Sequence, residues 1–170
     1  MTKNVCLNVL LPRNRNHLGW IRVELDGVPK AEFRVLARGS TTVNKQPTGN
    51  PTRNPLLFAG DTPTGNYVSP GVVSTGDWEQ RSYGPWGAIQ LKAVSGDALL
   101  AERLGRTGLL IHGGDPGIAA RFGGYRSTLG CLRLSNIDMK SLAGMLFAAG
   151  ENSSRLRSET VSVTVNVREL

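Results

Sequence analysis

The sequence predicts a mainly β fold, and three observations lead to this prediction. The 170-residue chain contains 21 Gly and 9 Pro, a density of turn-forming residues that favours many short strands over a helical bundle. Apolar and polar side chains alternate in several segments, with the period of two that is typical of half-buried strands. Hydrophobic residues make up 39% of the chain, enough to bury a core. We expect one domain that spans residues 1–170.

The strands follow one another along the chain. Residues 6–11 form an apolar run that a proline ends. Residues 21–25 alternate between apolar and charged side chains, and Asp26-Gly27 is a hairpin signal that leads into a returning strand at 33–35. Residues 161–167 alternate between valine and polar residues, which predicts a closing strand.

The middle of the chain is less regular. Residues 39–66 contain eight glycines and prolines, which predicts a long loop with a functional or covering role. Residues 87–94 are predicted to be rich in strand, and residues 97–104 to form a short helix that a glycine ends. Residues 109–111 are predicted to form a buried strand that leads directly into His112.

The strongest helix signal lies at residues 136–147. Ser135 is predicted to be the N-cap, and Asp138 places a carboxylate near the positive end of the helix, in a variant of the capping box. The residues predicted to face the core are Ile137, Met139, Leu142, Met145 and Leu146.

The two cysteines are too few for a disulfide scaffold or a four-cysteine zinc site, and no metal site is predicted. Cys6 lies in an apolar strand and is interpreted as a core residue.

Cys131 follows Gly130, and a nucleophilic thiol needs a base such as the imidazole of His112. Arg133 lies on the same face as Cys131 if this segment is extended, where it could hold a carboxylate or carbonyl of a substrate. The segment between His112 and Cys131 is long enough to line a pocket.

Other aromatic and imidazole side chains have simpler interpretations. Trp20, Trp78 and Trp86 are candidates to pack in the core. Trp86 or Tyr125 could instead stack on a sugar or a peptide at a cleft. His17 lies among arginines and asparagines and is expected to be a solvated loop residue.

These residues resemble the catalytic domain of the L,D-transpeptidases, the cysteine transpeptidases of the bacterial cell wall. The family signature is His-Gly, a spacer and Ser/Thr-x-Gly-Cys-hydrophobic-Arg. It is similar to His112-Gly113 and to Thr-Leu-Gly-Cys-Leu-Arg at 128–133. Thr-Pro-Thr-Gly-Asn-Tyr at 62–67 and Tyr-Gly-Pro-Trp at 83–86 are similar to two further stretches of the family, in the same order. The resemblance implies the β-sandwich or barrel-like fold of that family.

The resemblance implies roles for individual residues. Cys131 would attack a carbonyl of a peptidoglycan stem tetrapeptide, and His112 would be its base and later the proton donor to the leaving amine. The carbonyl of Gly113 would be the third member, and the backbone N–H groups of Gly130 and Cys131 would form the oxyanion hole. Arg133 would orient substrate or support the cysteine loop. The candidate substrate and oxyanion residues are Gly130, Arg133, Ser127, Thr128 and Tyr125, and no cofactor is expected.

The reaction type is not fixed by these residues. Transfer to an amine of a second stem would give a cross-link, transfer to water would make the enzyme a carboxypeptidase, and an endopeptidase shares the same first step. The resemblance also implies sensitivity to carbapenems. Leu129 stands where many family members have a second histidine, and Gly114 stands where Ser or Thr is common.

Charge leaves a second class of function open. The formal net charge of +7 favours anionic partners, so a cationic module that binds the cell wall or another polyanion, with an inactive Cys-His pair, is the alternative. Nucleic acid is not expected as a partner, because lysines and arginines are spread along the chain.

Location follows from the resemblance, which implies the periplasm or cell wall as the site of action. No apolar run is long enough for a membrane span, and the first residues lack the apolar region of a signal peptide. Either a leader has been removed from this chain or export uses another route. The second hypothesis is a cell-wall-targeting effector that a secretion machine exports, with a delivery or immunity partner that the sequence does not identify.

Overall fold

The computed structural model describes residues 3–115, 121–149 and 161–170, and it confirms the mainly β prediction. The strands are β1 (Lys3–Leu11), β2 (Gly19–Leu25), β3 (Val28–Val35), β4 (Thr42–Val43), β5 (Gln46–Pro47), β6 (Gly65–Ser69), β7 (Val72–Val73), β8 (Ala88–Gln90), β9 (Lys92–Ser95), β10 (Leu110–His112), β11 (Leu132–Arg133) and β12 (Val161–Glu169). The helices are α1 (Gln80–Tyr83), α2 (Gly96–Arg103) and α3 (Asn136–Ala149). Residues 116–120, part of the segment expected to line a pocket, lie outside the described residues.

Two sheets carry most of the strands. The larger sheet has six strands in the order β3-β2-β1-β12-β6-β9, and β12 runs parallel to β1 and antiparallel to β6. The last strand of the chain therefore lies in the middle of this sheet. The smaller sheet has the order β11-β10-β8-β7, with β10 parallel to β11. The short strands β4 and β5 form a hairpin inside the predicted 39–66 loop.

The hairpin signal at Asp26-Gly27 forms the turn between β2 and β3. Both residues have positive φ, 49° and 78°, as in the type I′ turn whose twist matches the flanking strands. On β2, Ile21 and Val23 are fully buried and Arg22 between them is exposed, as the alternation predicted. One hydrophobic cluster joins the inner face of the larger sheet to α3 and to the smaller sheet. Its largest members include Leu7, Leu11, Ile21, Tyr67, Ile111, Leu132, Leu134, Met139, Leu142 and Leu146.

Helix α3 begins where the sequence predicted. The Asp138 N–H donates to Ser135 Oγ at 3.0 Å, so Ser135 is the N-cap, and the helix continues two residues past the predicted end. The prediction that Ile137 faces the core is wrong, since its side chain is 78% exposed. The buried positions Met139 and Leu142 define the inner face, and residue 137 is about 200° away from residue 139 around the helix.

The core prediction for Cys6 is also wrong. Its neighbours Val5 and Leu7 are the inward residues of β1, and the period of two of a strand turns Cys6 to the other face. There Cys6 is half-buried, and its Sγ lies 3.6 Å from Asn8 Oδ1 and 3.4 Å from Asn166 Nδ2. A polar patch on the outer face of the sheet therefore surrounds this thiol.

The tryptophan and histidine predictions have mixed outcomes. Trp78 and Trp86 are 37% and 41% exposed, so neither packs in the core, in contrast to the expectation. Trp20 is half-buried under the guanidinium of Arg34. His17 is exposed, as predicted. In the described parts of the chain, no helix has the length and apolar character that crossing a membrane would need.

Candidate active site

Two adjacent parallel strands place His112 and Cys131 on one face of the smaller sheet. His112 ends β10 and lies opposite Arg133 on β11. Side chains alternate along an extended chain, so Cys131, two residues before Arg133, projects to the same face. All three residues line one cleft of about 410 Å³, together with Arg126, Ser127 and Thr128. We call this the polar cleft.

His112 is held in one orientation by the residue after it. Its side chain is 2% exposed, and Nδ1 lies 2.6 Å from the carbonyl oxygen of Gly113. Because a carbonyl only accepts hydrogen bonds, Nδ1 carries the proton and Nε2 is the nitrogen that can accept one. Burial, aided by the positive charge of Arg133, lowers the pKa of His112 to about 4. The imidazole is therefore a neutral base at pH 7.

Burial also raises the pKa of the Cys131 thiol above its ordinary value. A backbone hydrogen bond from Leu110 and the charges of Arg106 and Arg133 oppose this shift without cancelling it. The resting site thus contains a neutral thiol and a neutral imidazole rather than a thiolate–imidazolium pair. Such a thiol needs a base to take its proton during attack.

Hydroxyl groups hold the loop that carries Cys131. Thr62 Oγ1 donates to the Gly130 carbonyl at 2.7 Å, and Thr128 Oγ1 donates to the Cys131 carbonyl at 2.8 Å. The Gly130 N–H donates to Thr128 Oγ1 at 3.0 Å. This N–H is already engaged, so the expectation that it binds an oxyanion is not supported by the geometry. The N–H of Cys131 itself stays a candidate.

The Thr-Pro-x-Gly-x-Tyr stretch acquires a physical role from these contacts. Thr62 reaches the cysteine loop, and the Tyr67 hydroxyl donates to the Pro63 carbonyl at 2.7 Å, which fixes the backbone next to Thr62. Tyr67 is 1% exposed, and burial raises its pKa well above the ordinary range of tyrosine. The hydroxyl therefore stays protonated and keeps donating.

Arg106 is a residue of this site that the sequence did not predict. Its buried guanidinium donates to the carbonyls of Gly60 at 2.6 Å, Asp61 at 2.8 Å and Leu129 at 3.3 Å, and also to that of Pro55. Arg106 thus ties the loop before β6 to the loop before Cys131. No sequence signal separated it from the other arginines, because its four acceptors are backbone carbonyls of distant segments.

Gly130 has to be glycine for two reasons. Its φ of 112° lies in a region that side chains disfavour, and a Cβ built there would overlap Nη2 of Arg106. The residue before the cysteine is therefore fixed both by its backbone conformation and by the arginine packed against it.

Arg133 supports the histidine loop. Its side chain is 3% exposed, Nη1 donates to the Gly113 carbonyl at 3.2 Å and Nη2 donates to the Ser82 carbonyl at 3.1 Å. Burial, together with repulsion from Arg126, lowers the pKa of Arg133 to about 10, so it stays charged at pH 7. Its buried Nε has no hydrogen-bond partner among the described residues.

A second cleft meets the polar cleft at Cys131. It has a volume of about 350 Å³, and Tyr83, Leu129 and Cys131 line both clefts. We call it the apolar cleft because most of its other lining residues are Leu56, Leu57, Phe58, Leu104, Leu109 and Leu110. The ring of Tyr83 lies 5.0 Å from that of His112, a contact for which the sequence gave no residue-level prediction.

The other residues that the sequence predicted for the site do not all lie at the polar cleft. Ser127 and Thr128 line the polar cleft, whereas Tyr125 lines neither cleft. Burial and the charge of Asp138 raise the pKa of Tyr125. The expectation that Tyr125 contacts substrate at this site is therefore not supported. Within the described residues, no three His, Cys, Asp or Glu side chains lie close enough together to hold a metal ion.

Comparisons with known proteins give a likeness of fold. No model of a known family and no curated protein sequence matches the chain. The structure of Bd1075 from Bdellovibrio bacteriovorus matches with a TM-score of 0.51 and 13% identity, over 95% of this chain and 47% of that one. At this identity the match establishes similarity of fold alone.

Two further structures have lower scores. An L,D-transpeptidase from Mycobacterium smegmatis matches with a TM-score of 0.43 and 13% identity, over 96% of this chain and 59% of that one. L,D-transpeptidase 1 of Mycobacterium tuberculosis matches with a TM-score of 0.40 and 11% identity, over 96% of this chain and 62% of that one. These two scores are too low to establish a common fold. The chain spans about half to three fifths of the length of the structures it matches.

Proposed function

We propose that this protein is a cysteine acyltransferase or peptidase that acts on peptidoglycan stem peptides through a thioester on Cys131. The observation that carries the proposal is the shared face of β10 and β11, where Cys131 and His112 line one cleft. The Gly113 carbonyl holds Nδ1 of His112, so Nε2 is the nitrogen that can take up a proton. The resemblance of residues 112–133 to the L,D-transpeptidase signature supplies the substrate class.

The chemistry begins from an uncharged pair. Cys131 Sγ attacks the peptide carbonyl carbon while its proton moves to Nε2 of His112. The tetrahedral intermediate collapses, the C–N bond breaks, and His112 returns this proton to the departing amine, which leaves a thioester. A second amine or water then attacks the thioester, and its proton passes through His112 to the departing sulfur. The enzyme regains its starting state.

Reaction with a carbapenem tests the nucleophile. The strained β-lactam carbonyl should acylate Cys131 and give one adduct by mass spectrometry, and Cys131→Ala should give none. Cys6→Ala is the matched control, since Cys6 lies on the larger sheet, and this variant should react like the wild type. A folded wild-type protein that forms no adduct contradicts the proposal, as does an adduct that persists in Cys131→Ala.

Digestion of purified muropeptides tests the substrate and the reaction type. Loss of one D-alanine from tetrapeptides indicates a carboxypeptidase, and new dimers indicate a transpeptidase. We expect His112→Gln to slow either reaction by about 10²- to 10⁴-fold, because it removes the general base. If the folded protein reacts with a carbapenem but converts no muropeptide, the peptidoglycan assignment is wrong.

The alternative function is a cationic module that binds the cell wall or another polyanion without catalysis. The net charge of +7 favours it, because electrostatic attachment needs no nucleophile. A protein that sediments with purified cell walls in low salt and forms no thiol adduct would support this alternative.

The proposed substrate places the site of action in the periplasm or cell wall. The effector hypothesis predicts that directing the protein to the periplasm of a susceptible cell is toxic when Cys131 is intact. Viable-cell counts after induction would measure the toxicity, and Cys131→Ala is the control. Equal toxicity of both proteins contradicts an enzymatic effector.

A further inference from the structure

We propose that Arg38 is a positioning residue for the reaction at Cys131, because this one residue holds both ends of the segment 122–128, whose last three residues line the polar cleft. The effect on acyl transfer rests on the proposed function. The hold on the segment rests on the contacts of Arg38 alone and is tested separately.

The backbone that follows β3 runs beside the loop that carries Cys131. Leu36 exchanges both of its backbone hydrogen bonds with Arg133, each at 2.9 Å. Two residues further on, the carbonyl of Arg38 accepts the N–H of Thr128 at 3.1 Å. Thr128 precedes Cys131 in the chain and Arg133 follows it, so this stretch of backbone holds the cysteine loop on both sides of the nucleophile.

The side chain of Arg38 reaches the other end of the segment. Its Cζ lies 4.1 Å from the ring centre of Phe122, within the range of a cation–π contact. Nε donates to Asn16 Oδ1 at 2.8 Å, and Nη1 donates to the Gly39 carbonyl at 2.9 Å. These two hydrogen bonds fix the guanidinium over the ring. Arg38 therefore contacts residue 122 with its side chain and residue 128 with its backbone.

The first four residues of the segment form a tight turn. The N–H of Phe122 donates to the Tyr125 carbonyl at 3.2 Å, and the N–H of Tyr125 donates to the Phe122 carbonyl at 3.1 Å. Gly123 and Gly124 between them both have positive φ, 60° and 87°, as a type I′ turn requires. A Cβ built at Gly123 would lie 2.9 Å from the side chain of Leu18, so the turn also packs closely against the loop between β1 and β2. A contact at Phe122 can therefore position the whole turn.

The end of the segment supports the nucleophile directly. Thr128 Oγ1 accepts the Gly130 N–H and donates to the Cys131 carbonyl, and residues 126–128 line the polar cleft. Arg38 does not line this cleft, so it acts on the reaction through the segment. Such indirect support matters for acyl transfer, because a misplacement of about 1 Å in the reacting groups can cost about 10²-fold in rate.

Hydrogen exchange tests the hold on the segment without any substrate. Arg38→Gln removes the guanidinium and keeps a polar side chain. We expect the amides of residues 122–128 to exchange at least about threefold faster in this variant, whereas the amides of β1 should keep their wild-type rates. Arg22→Gln is the matched control, since it removes a guanidinium that pairs with Glu32 on the outer face of the larger sheet. The control should leave exchange in 122–128 unchanged.

Two reagents that react at Cys131 test the effect on the reaction. Iodoacetamide needs a reactive thiol but no ordered cleft, whereas a carbapenem also has to be oriented beside His112. In a Cys6→Ala background, we expect Arg38→Gln to slow the limiting rate of acylation by a carbapenem by about tenfold. The iodoacetamide rate should change by less than about twofold, because the charge of Arg38 is not among those that shift the pKa of this thiol. A variant that is only less stable would change both rates through its unfolded fraction.

Rescue by conservative variants identifies the contact that is responsible. Arg38→Lys keeps a cation over the Phe122 ring and should restore most of the acylation rate. Phe122→Leu removes the ring and should slow acylation as Arg38→Gln does, with no further loss when the two changes are combined. Phe122→Tyr keeps the ring and should react like the wild type.

Failure of this inference differs from failure of the proposed function. Unchanged exchange in 122–128, or a wild-type acylation rate in Arg38→Gln, overturns the role of Arg38. Equal changes in the acylation and alkylation rates also overturn it. If the wild type forms no carbapenem adduct, the proposed function is contradicted, and faster exchange in Arg38→Gln still supports the hold on the segment.

Discussion

His112 is buried and Cys131 is half-buried, and loss of contact with water disfavours the charged form of each side chain. The pKa of His112 therefore falls to about 4, and the pKa of the Cys131 thiol rises. Arg133 moves both pKa values downward through its charge. The pair consequently begins the proposed reaction as a neutral acid and a neutral base, and the base stays available in moderately acidic solution.

The low pKa of His112 predicts a loss of stability in acid. Between pH 6.5 and 4 the unfolded chain binds a proton at this residue that the folded chain does not, so stability falls as pH falls through this window. We expect His112 to contribute a loss of about 2 to 3 kcal/mol in unfolding free energy between pH 7 and 4.5. Urea denaturation at both pH values would measure it, and His112→Gln should lack this contribution. An identical pH dependence in both proteins contradicts the burial argument.

The hydrogen bond of the Thr62 hydroxyl leads to a second prediction at the scale of a single residue, on stability and on the reactivity of Cys131. Thr62→Val keeps the shape of the side chain but leaves the Gly130 carbonyl without this donor. We expect a loss of about 1 to 3 kcal/mol in unfolding free energy and a slower reaction of Cys131 with a carbapenem. Thr41→Val, at an exposed position, is the matched control and should change neither quantity. Wild-type stability and reactivity in Thr62→Val would contradict the role given to this hydroxyl.

The start of α3 serves both the helix and the site. Ser135 caps the helix, and the next residue, Asn136, accepts a hydrogen bond from the Gly114 N–H at 2.8 Å. That bond anchors the loop whose Gly113 carbonyl orients His112. The helix therefore positions the base indirectly, through the loop at Gly113 and Gly114.

Two neighbouring substitutions separate these roles. Ser135→Ala should cost about 1 kcal/mol of stability, the typical value of an N-cap, and leave the reaction of Cys131 with a carbapenem nearly unchanged. Asn136→Ala should slow that reaction more than Ser135→Ala does, because it releases the loop at Gly114. Thermal unfolding and acylation rates measured on both variants would check this. Equal acylation rates in the two variants contradict a positioning role for Asn136.

The larger sheet connects the two ends of the described chain to the site. β12 lies between β1 and β6, and β6 continues directly from the segment that carries Thr62. Val163, Val165 and Val167 of β12 are buried in the core cluster. The pairing of β12 with β6 thus stabilises the backbone from which Thr62 reaches the cysteine loop.

A substitution in β12 should therefore weaken the whole molecule. Val165→Ala removes two methyl groups from a fully buried position, and we expect a loss of about 2 kcal/mol in unfolding free energy. Val94→Ala makes the same chemical change at an exposed position and should stay within about 0.5 kcal/mol of the wild type. Chemical denaturation would measure both, and equal losses would contradict the central position of β12.

The sequence by itself determined the features that depend on near neighbours in the chain. The alternation at residues 21–25, the turn at Asp26-Gly27 and the N-cap at Ser135 follow from strand period, positive φ and helix capping, which are local effects. The residue types of His112 and Cys131 also limited the chemistry, because few side chains pair as base and nucleophile.

Only the tertiary structure decided which distant groups meet. Arg106 binds carbonyls of segments far along the chain, and Thr62 reaches Gly130 across 68 positions. The outward faces of Cys6 and Ile137 were likewise decided by which side of each element packs on the core. The period of a sequence pattern shows that a strand has two faces and that a helix has an apolar stripe. Packing on the core then decides which of these sides is buried. That selection depends on strand order and long-range packing, which no local pattern encodes.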